Sequence, residues 1–257
     1  MLDQLFDAAL KASQRREAKI SEQDLLEQIT NTPAAIDVYA ALAKSDHIKL
    51  IAEIKRRSPS RGFLAEIPSA AHQAELYQES GAHAISVLTE ESGFGGNLED
   101  LVAARSKATI PLLRKDFIST EYQILEARAA GADFVLLILA WLTEQRFREL
   151  FAFAEDLGLG VLVETHTLDE IELANISGAR LIGINTRNLQ NFQTDIGLFE
   201  KMAQALNPIA IKVAESSVKT VADVIRYRNA GADVVLVGEA LVTSDPAKLI
   251  PEFISVA

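Results

Sequence analysis

The sequence predicts an α/β protein, a (β/α)₈ barrel carrying an N-terminal helical extension. Three observations predict it. A pattern of helix, glycine and apolar strand recurs about every 50 residues, at Gly81, Gly131, Gly178 and Gly231. Four further apolar runs lie between these copies, which makes eight strand candidates in all. The polar residues of these runs gather at their C-terminal ends, the end at which such barrels carry function. A doubly wound open sheet is the alternative, but the first strand lacks the GxGxxG turn of a dinucleotide site.

Residues 1–48 precede the first strand. Leu2, Leu5, Phe6, Ala9 and Leu10 fall on one helical stripe, and Leu25, Leu26 and Ile29 on a second. Pro33 is expected to open a third helix that runs through Tyr39 to Leu42. Lys49–Lys55 (KLIAEIK) is the first strand. A helix over Ser69–Ser80 leads to the second, HAISVLTE. Ile110–Lys115 is the third, and a helix over Thr120–Ala130 precedes the fourth, DFVLLILA. A helix over Thr143–Leu157 precedes the fifth, Gly160–Glu164, and RLIGIN is the sixth. Ile209–Ser216 is the seventh, and a helix over Val218–Ala230 leads to the eighth, DVVLVGEA. Glycine is the expected left-handed stop of each repeat helix, and short apolar runs fit a buried parallel sheet. A short last-loop helix is expected to open at Gly238-Glu239 and end near Thr243. No Gly/Ser-rich or Pro-rich linker interrupts the chain, so residues 1–257 read as one barrel domain with 1–48 as its extension.

The 257 residues are 49% hydrophobic and 24% charged, enough apolar material for a sizeable core and against a disordered chain. The absence of cysteine excludes disulfides, zinc–thiolate sites, iron–sulfur clusters and thiol nucleophiles. A net charge of −11 argues against a general nucleic-acid binder. No apolar run reaches the roughly 20 residues of a membrane helix, and the N-terminus lacks the pattern of a signal peptide. A cytoplasmic protein is expected, without membrane or nucleic-acid partners. His47, His72, His83 and His166 show no metal-ligand spacing. His72 and His83 read as structural and His166 as a loop residue. There is no P-loop, HExxH or Ser-His-Asp order, so neither metal nor organic cofactor is expected.

The strand ends carry the candidate chemistry. Glu53 and Lys55 lie two apart on the first strand and so share a face. Lys115 and Asp116 end the third, Glu164 the fifth, Asn185 the sixth with Arg187 in the loop, and Glu215 the seventh. Two lysines and two glutamates in one barrel mouth shift each other's proton affinity, which suits acid/base work. A structural ion-pair network tying the strand tops together is the competing reading. The loop Lys55-Arg56-Arg57-Ser58-Pro59-Ser60-Arg61-Gly62 concentrates positive charge on an acidic protein, which suits an anionic ligand. Ser216 and Gly238, after the seventh and eighth strands, are the expected phosphate contacts; helix capping by Ser216 is the plainer reading. Glu90-Glu91 read as solvated acids of a flexible loop, with Phe94 able to cover an apolar ligand. The residues alone lead to a barrel enzyme acting by acid/base chemistry on a phosphorylated small molecule.

Several of these motifs are more specific. Ile51-Ala52-Glu53-Ile54-Lys55 followed by Ser58-Pro59-Ser60-Arg61-Gly62 resembles the AEIK-x-x-SPS-[KR]-G signature of the indole-3-glycerol-phosphate synthase family. In order along the chain, Ser86–Glu90 with Phe94-Gly95-Gly96, Leu113-Arg114-Lys115-Asp116-Phe117, Val163-Glu164, Gly183-Ile184-Asn185-Thr186-Arg187-Asn188-Leu189, Ala214-Glu215-Ser216 and Val237-Gly238-Glu239 are similar to further motifs of that family. The resemblance implies a TIM barrel without cofactor. It implies conversion of 1-(2-carboxyphenylamino)-1-deoxyribulose 5-phosphate to indole-3-glycerol phosphate, carbon dioxide and water in tryptophan biosynthesis.

It assigns to Lys115 the protonation of the ribulose C2 oxygen and to Lys55 the pairing with the substrate carboxylate. Glu164 becomes the base or cation-stabilising carboxylate, Glu53 places the lysines, and Asn185 binds hydroxyls. Ser58, Arg187, Glu215, Ser216 and Gly238 fall to the substrate's anionic end. Phe94, Phe117 and Leu136 flank its aromatic ring. Beyond this small phosphosugar a monomer is expected, with other tryptophan-pathway enzymes as candidate partners. Three positions depart from the pattern. Ser217 stands where the family has Gly, which strains a serine if the backbone there is left-handed. Thr186 replaces Asn, and Ala35–Tyr39 lacks an Arg-Asp-Phe run. The competing readings are another phosphosugar barrel, either an isomerase or a Schiff-base aldolase on Lys115, and a non-catalytic phosphometabolite-binding barrel.

Overall fold

A computed structural model describes residues 2–187 and 193–257; the motif residues Asn188 and Leu189 lie outside them. The four repeat glycines all take left-handed backbone, with φ between 76° and 101°. That conformation turns the chain from helix to strand where a side chain would be strained. Short polar side chains start the helices. Ser69, Asn97, Thr120, Thr143, Thr167 and Thr220 each accept a backbone N–H of the first turn, and Thr120 and Thr220 form capping boxes.

Eight parallel strands result: Lys49–Ile54, Ala84–Leu88, Leu112–Lys115, Phe134–Ile138, Gly160–Thr165, Leu181–Asn185, Ile211–Glu215 and Val234–Val237. Each pairs with its sequence neighbours, and the first pairs with the eighth, Lys49 opposite Val234, to close a (β/α)₈ TIM barrel. Alternation along the strands divides the core in two. Ala52, Ile54, Val135 and Val163 face the helices. Ile51, Leu113, Phe134, Leu136, Leu162, Leu181 and Val213 fill the barrel interior.

The N-terminal extension is helical at Leu2–Glu17 and Glu22–Thr30. The third helix differs from expectation: it spans Val38–Ala41 only. Asp37, not Pro33, opens it, accepting from the N–H groups of Tyr39 and Ala40 at 2.9 and 3.1 Å. Residues 33–36 are held out of the helix by the barrel's lower rim. The Arg128 guanidinium donates to the Pro33 carbonyl, and the Ile36 N–H donates to buried Asp133 at 2.7 Å. The seventh strand begins at Ile211, because Asn207–Ala210 forms a turn that leaves Ile209 85% exposed.

Candidate active site

The alternation that fills the barrel also builds its mouth. On four strands the last apolar inward residue is followed two positions later by a charged one. Ile51 precedes Glu53, Leu113 precedes Lys115, Leu162 precedes Glu164, and Val213 precedes Glu215. On the sixth strand Leu181 is followed by Gly183 and Asn185. A polar layer therefore rests on the apolar interior, at the C-terminal end of the strands.

Within it, Lys115 Nζ lies 3.1 Å from Glu53 Oε2 and 3.4 Å from Glu215 Oε2, and Lys55 Nζ lies 2.5 Å from Glu53 Oε1. Burial alone would raise the Glu53 carboxyl, but Lys115 and Lys55 hold it down at about 2. Burial alone would lower the Lys115 ammonium, but Glu53, Glu215 and Glu164 hold it above its ordinary value. Glu215 goes the other way. Burial, then the neighbouring Glu164 carboxylate, push it well above the usual carboxylate range, and Lys115 opposes them only in part. Two glycines make room for these groups. A Cβ on Gly183 would run into Glu215, and one on Gly238 would strike Glu53 and sit 2.8 Å from Lys55 Nζ.

Above the layer lies a cavity of about 790 Å³. One wall is apolar: Phe94, Phe117, Leu136, Leu88 and Ile138. The other is polar: Glu53, Lys55, Ser58, Lys115, Glu164, Asn185, Arg187 and Ser216. The structure thus brings together every predicted site residue except Glu215, which lies beneath Lys115, and Gly238, which borders an adjoining hollow. Sequence reasoning missed Leu2 and Leu5, which close the apolar wall from the N-terminal helix. Phe6 anchors that helix, stacked on Trp141 at 3.9 Å between ring centroids and edge-on to Phe117 at 5.2 Å.

The loops differ from expectation in two places. Glu90 is buried, not solvated; its carboxylate accepts from the N–H groups of Ser92, Gly93 and Phe94 at 2.8, 2.7 and 3.0 Å and so shapes the loop that presents Phe94. Its neighbour Glu91 pairs with Arg15 and Arg16 of the N-terminal helix. The basic loop is not a uniform patch either. Arg56 is locked on Asp100 and the Ile67 carbonyl, Arg61 pairs with Glu239 at 3.1 Å, and Lys55 alone of these enters the acid/base cluster. Arg114 was also missed as more than a motif residue. Fully buried on the outer face of its strand, it donates to Asp116 at 3.0 Å and to the Gln123 carbonyl at 2.6 Å, which fixes the strand end that carries Lys115.

Past the seventh strand, Ser216 and Ser217 both take left-handed backbone, with φ of 69° and 64°. Ser216 does not cap the following helix, which spans Val221–Asn229 and is capped by Thr220. The Ser216 hydroxyl instead donates to Asn185 Oδ1 at 2.8 Å, and that oxygen also accepts the Arg187 N–H at 3.0 Å. The Thr186 hydroxyl reaches Ser217 Oγ at 3.2 Å, and the Tyr227 hydroxyl donates to the Ser216 carbonyl at 3.2 Å. Two of the three departures from the family pattern, Thr186 and Ser217, thus touch each other. Ser216, Ser217, Lys219, Gly238 and Arg187 border a hollow of about 490 Å³ that adjoins the main cavity. No group of three or more His, Asp or Glu residues among the described residues is arranged to hold a metal ion.

A closed (β/α)₈ barrel with a lysine–carboxylate cluster under a half-apolar cavity at the C-terminal ends of its strands is the architecture of a barrel enzyme. The family model described as "Indole-3-glycerol phosphate synthase" matches residues 2–253, and the chain belongs to that family. Its relatives include the indole-3-glycerol phosphate synthase of Leifsonia xyli, 55% identical over 83% of this chain and 82% of that one. Indole-3-glycerol phosphate synthase 1 of Streptomyces coelicolor is 46% identical over 99% of this chain and 95% of its own. Among solved structures, thiamine phosphate pyrophosphorylase from Pyrococcus furiosus superposes with a TM-score of 0.61. The match covers 80% of this chain and 93% of that one, at 15% identity, a likeness of fold alone.

Proposed function

We propose that this barrel closes, decarboxylates and dehydrates 1-(2-carboxyphenylamino)-1-deoxyribulose 5-phosphate to indole-3-glycerol phosphate, as a carboxy-lyase of tryptophan biosynthesis. The observation that carries the reading is the half-buried Lys115 ammonium, 3.1 Å from the Glu53 carboxylate and lining the same cavity as the apolar side chains Phe94, Phe117 and Leu136. Ring closure forms a carbon–carbon bond from the carboxylate-bearing ring carbon to ribulose C2 and moves an electron pair onto the C2 oxygen. Lys115 donates the proton that oxygen needs. Phe94, Phe117 and Leu136 hold the aromatic ring, and Lys55 pairs with its carboxylate and bends the substrate toward closure. Loss of carbon dioxide returns an electron pair to the ring. The C2 hydroxyl then leaves as water, with Lys55 or Lys115 as proton donor, and Glu164 takes the C1 proton that completes the indole. Asn185 orients the hydroxyls. Ser58, Arg187, Ser216 and Gly238 take the phosphate. Glu215, below Lys115, serves the cluster's proton balance.

A Schiff-base aldolase fits less well, because it needs a neutral lysine amine and the carboxylates around Lys115 favour the ammonium. A silent binding barrel has no use for two half-buried lysines set against three buried carboxyl groups. We also propose that the chain is a single domain, works as a cytoplasmic monomer, and has other enzymes of the pathway as its candidate partners. No helix among the described residues is long and apolar enough to cross a membrane.

The test is the indole fluorescence that develops when protein and substrate are mixed. Lys115→Ala should lower kcat by at least 100-fold, the order expected for a lost general acid, while substrate binding changes little. A variant with unchanged kcat removes Lys115 from the mechanism.

A further inference from the structure

His166 has no part in the mechanism above, yet it sits directly behind one of its groups. It follows the fifth strand, two residues after Glu164, with a side chain only 13% exposed. Its Nε2 lies 3.5 Å from Glu164 Oε1, and its Nδ1 lies 3.7 Å from Glu170 Oε2. The His166 backbone N–H donates to Glu170 Oε2 at 2.6 Å, which pins the residue to the start of helix Leu168–Ile176. Glu164 Oε1 and both ring nitrogens are buried without a hydrogen-bond partner among the described residues. Two unpartnered atoms, a carboxylate oxygen and an imidazole nitrogen, thus face each other within a small movement of hydrogen-bond distance. A proton on Nε2 satisfies both, and buried polar atoms of a native fold are normally satisfied.

The other groups around the ring point the same way. Glu164 comes from the strand and Glu170 from the helix, and Asp195 from the next loop lines the same cleft; Asn185 and Thr186 are neutral. Burial disfavours an imidazolium, but Glu170 and Glu164 outweigh it and raise His166 above its ordinary 6.5. On its other side Glu164 meets Glu215, which burial and Glu164 push toward its protonated form. Two buried carboxyls are neighbours there, and a cation beside one of them favours charge on that one.

We propose that His166 is a positioning residue for the reaction: as an imidazolium 3.5 Å from Glu164 Oε1 it orients that carboxylate and supports its negative charge. The proposal rests on Glu164 acting as a carboxylate in the reaction proposed above. A cation 3.5 Å from a carboxylate makes it harder to protonate. Without it the carboxylate loses that support, and activity is lost from the acid side first.

The experiment is a pH profile of kcat and KM for the full chain, His166→Gln and Glu170→Gln. In His166→Gln the acid limb of kcat should move up by about one pH unit. On the acid side of that limb kcat should fall by up to about tenfold, with KM within twofold, since His166 does not line the substrate cavity. Glu170→Gln should move the limb the same way by less, because it weakens the imidazolium without removing the ring. Histidine NMR supplies a readout that needs no turnover. The His166 signal, assigned by its loss in His166→Gln, should titrate above 6.5 and fall in Glu164→Gln and Glu170→Gln. Acid limbs that superimpose, or a uniform loss of kcat across the pH range, would overturn the proposal. So would a His166 that titrates below 6.5. If the wild-type chain fails to turn over the substrate, the proposed reaction falls, while the titration still decides whether His166 is the cation that holds Glu164.

Discussion

Ser217 shows how a single residue carries competing terms. Its left-handed backbone costs a non-glycine residue about 1 kcal/mol, and the contact with the Thr186 hydroxyl returns about as much. Ser217→Gly should therefore leave Tm within about 2 °C, because strain and hydrogen bond vanish together. Ser217→Ala keeps the strain and loses the bond, and should cost about 1 kcal/mol, or about 2–4 °C in a chain of this size. Thermal melts of the two variants separate the terms. Glu215 carries a different conflict. Its folded carboxyl is raised above its unfolded 4.5, so folding binds a proton there and stability is lost as pH rises from 4.5. Glu215→Gln should raise Tm at pH 7 by about 2–4 °C and by less at pH 4, while lowering kcat. A Tm gain as large at pH 4 as at pH 7 contradicts the assignment. The gathering of Glu53, Lys55, Lys115 and Glu164 at the barrel mouth was legible from position alone, since each lies at or near the C-terminal end of a predicted strand. Glu90 was not, because its burial depends on three N–H groups of a loop whose path the sequence does not specify.

Among elements, the helix Leu2–Glu17 contributes more than its place outside the barrel suggests. Its stripe of Leu2, Leu5 and Phe6 was readable from spacing, but the surface it covers was not. Phe6 packs on Trp141 after the fourth strand and on Phe117 after the third, so the helix closes the apolar wall of the cavity. Phe6→Ala removes a fully buried ring and should cost about 3–5 kcal/mol. Phe117 loses its edge contact at the same time, so KM should rise by severalfold in whatever fraction stays folded. Denaturant unfolding and steady-state kinetics measure the two effects. An unchanged KM in folded protein would mean that the helix only covers the wall and does not shape it. Helix starts divide along similar lines. Thr120 and Thr143 cap where the sequence places helix starts, whereas the helix read from Val218 begins only after Thr220, and the one assigned to Pro33 begins at Asp37 because Asp133 and Arg128 hold the intervening backbone from another part of the chain.

For the whole molecule, closure of the barrel is what concentrates charge. The chain carries a formal −11, yet Lys55 and Lys115 are drawn inward against Glu53 and Glu215. Glu53 is the strongest acid stabiliser of this cluster. Its carboxyl is depressed from 4.5 to about 2, so its contribution is complete above 4.5 and is lost as pH falls through about 2. Its partner Lys115 is raised, so that contribution is complete below the unfolded 10.5 and is lost only at still higher pH. Acid unfolding should accordingly show a step between about 4.5 and 2 that Glu53→Gln removes. Circular dichroism across that range, with the variant alongside, reads it directly. A step unaltered in the variant would place the acid-labile group elsewhere.

The sequence by itself determined the eight-stranded barrel, its four glycine stops and the residues that crown its strands. Each of these follows from local rules of periodicity, backbone freedom and strand alternation. Only the tertiary structure decided which charges meet. The distances from Lys115 to Glu53 and Glu215 join strands far apart in the chain, and barrel closure sets them. The same closure set the partners of Phe6, Ser217 and His166. A side chain's neighbours across a barrel are fixed by shape and register, which no local pattern records.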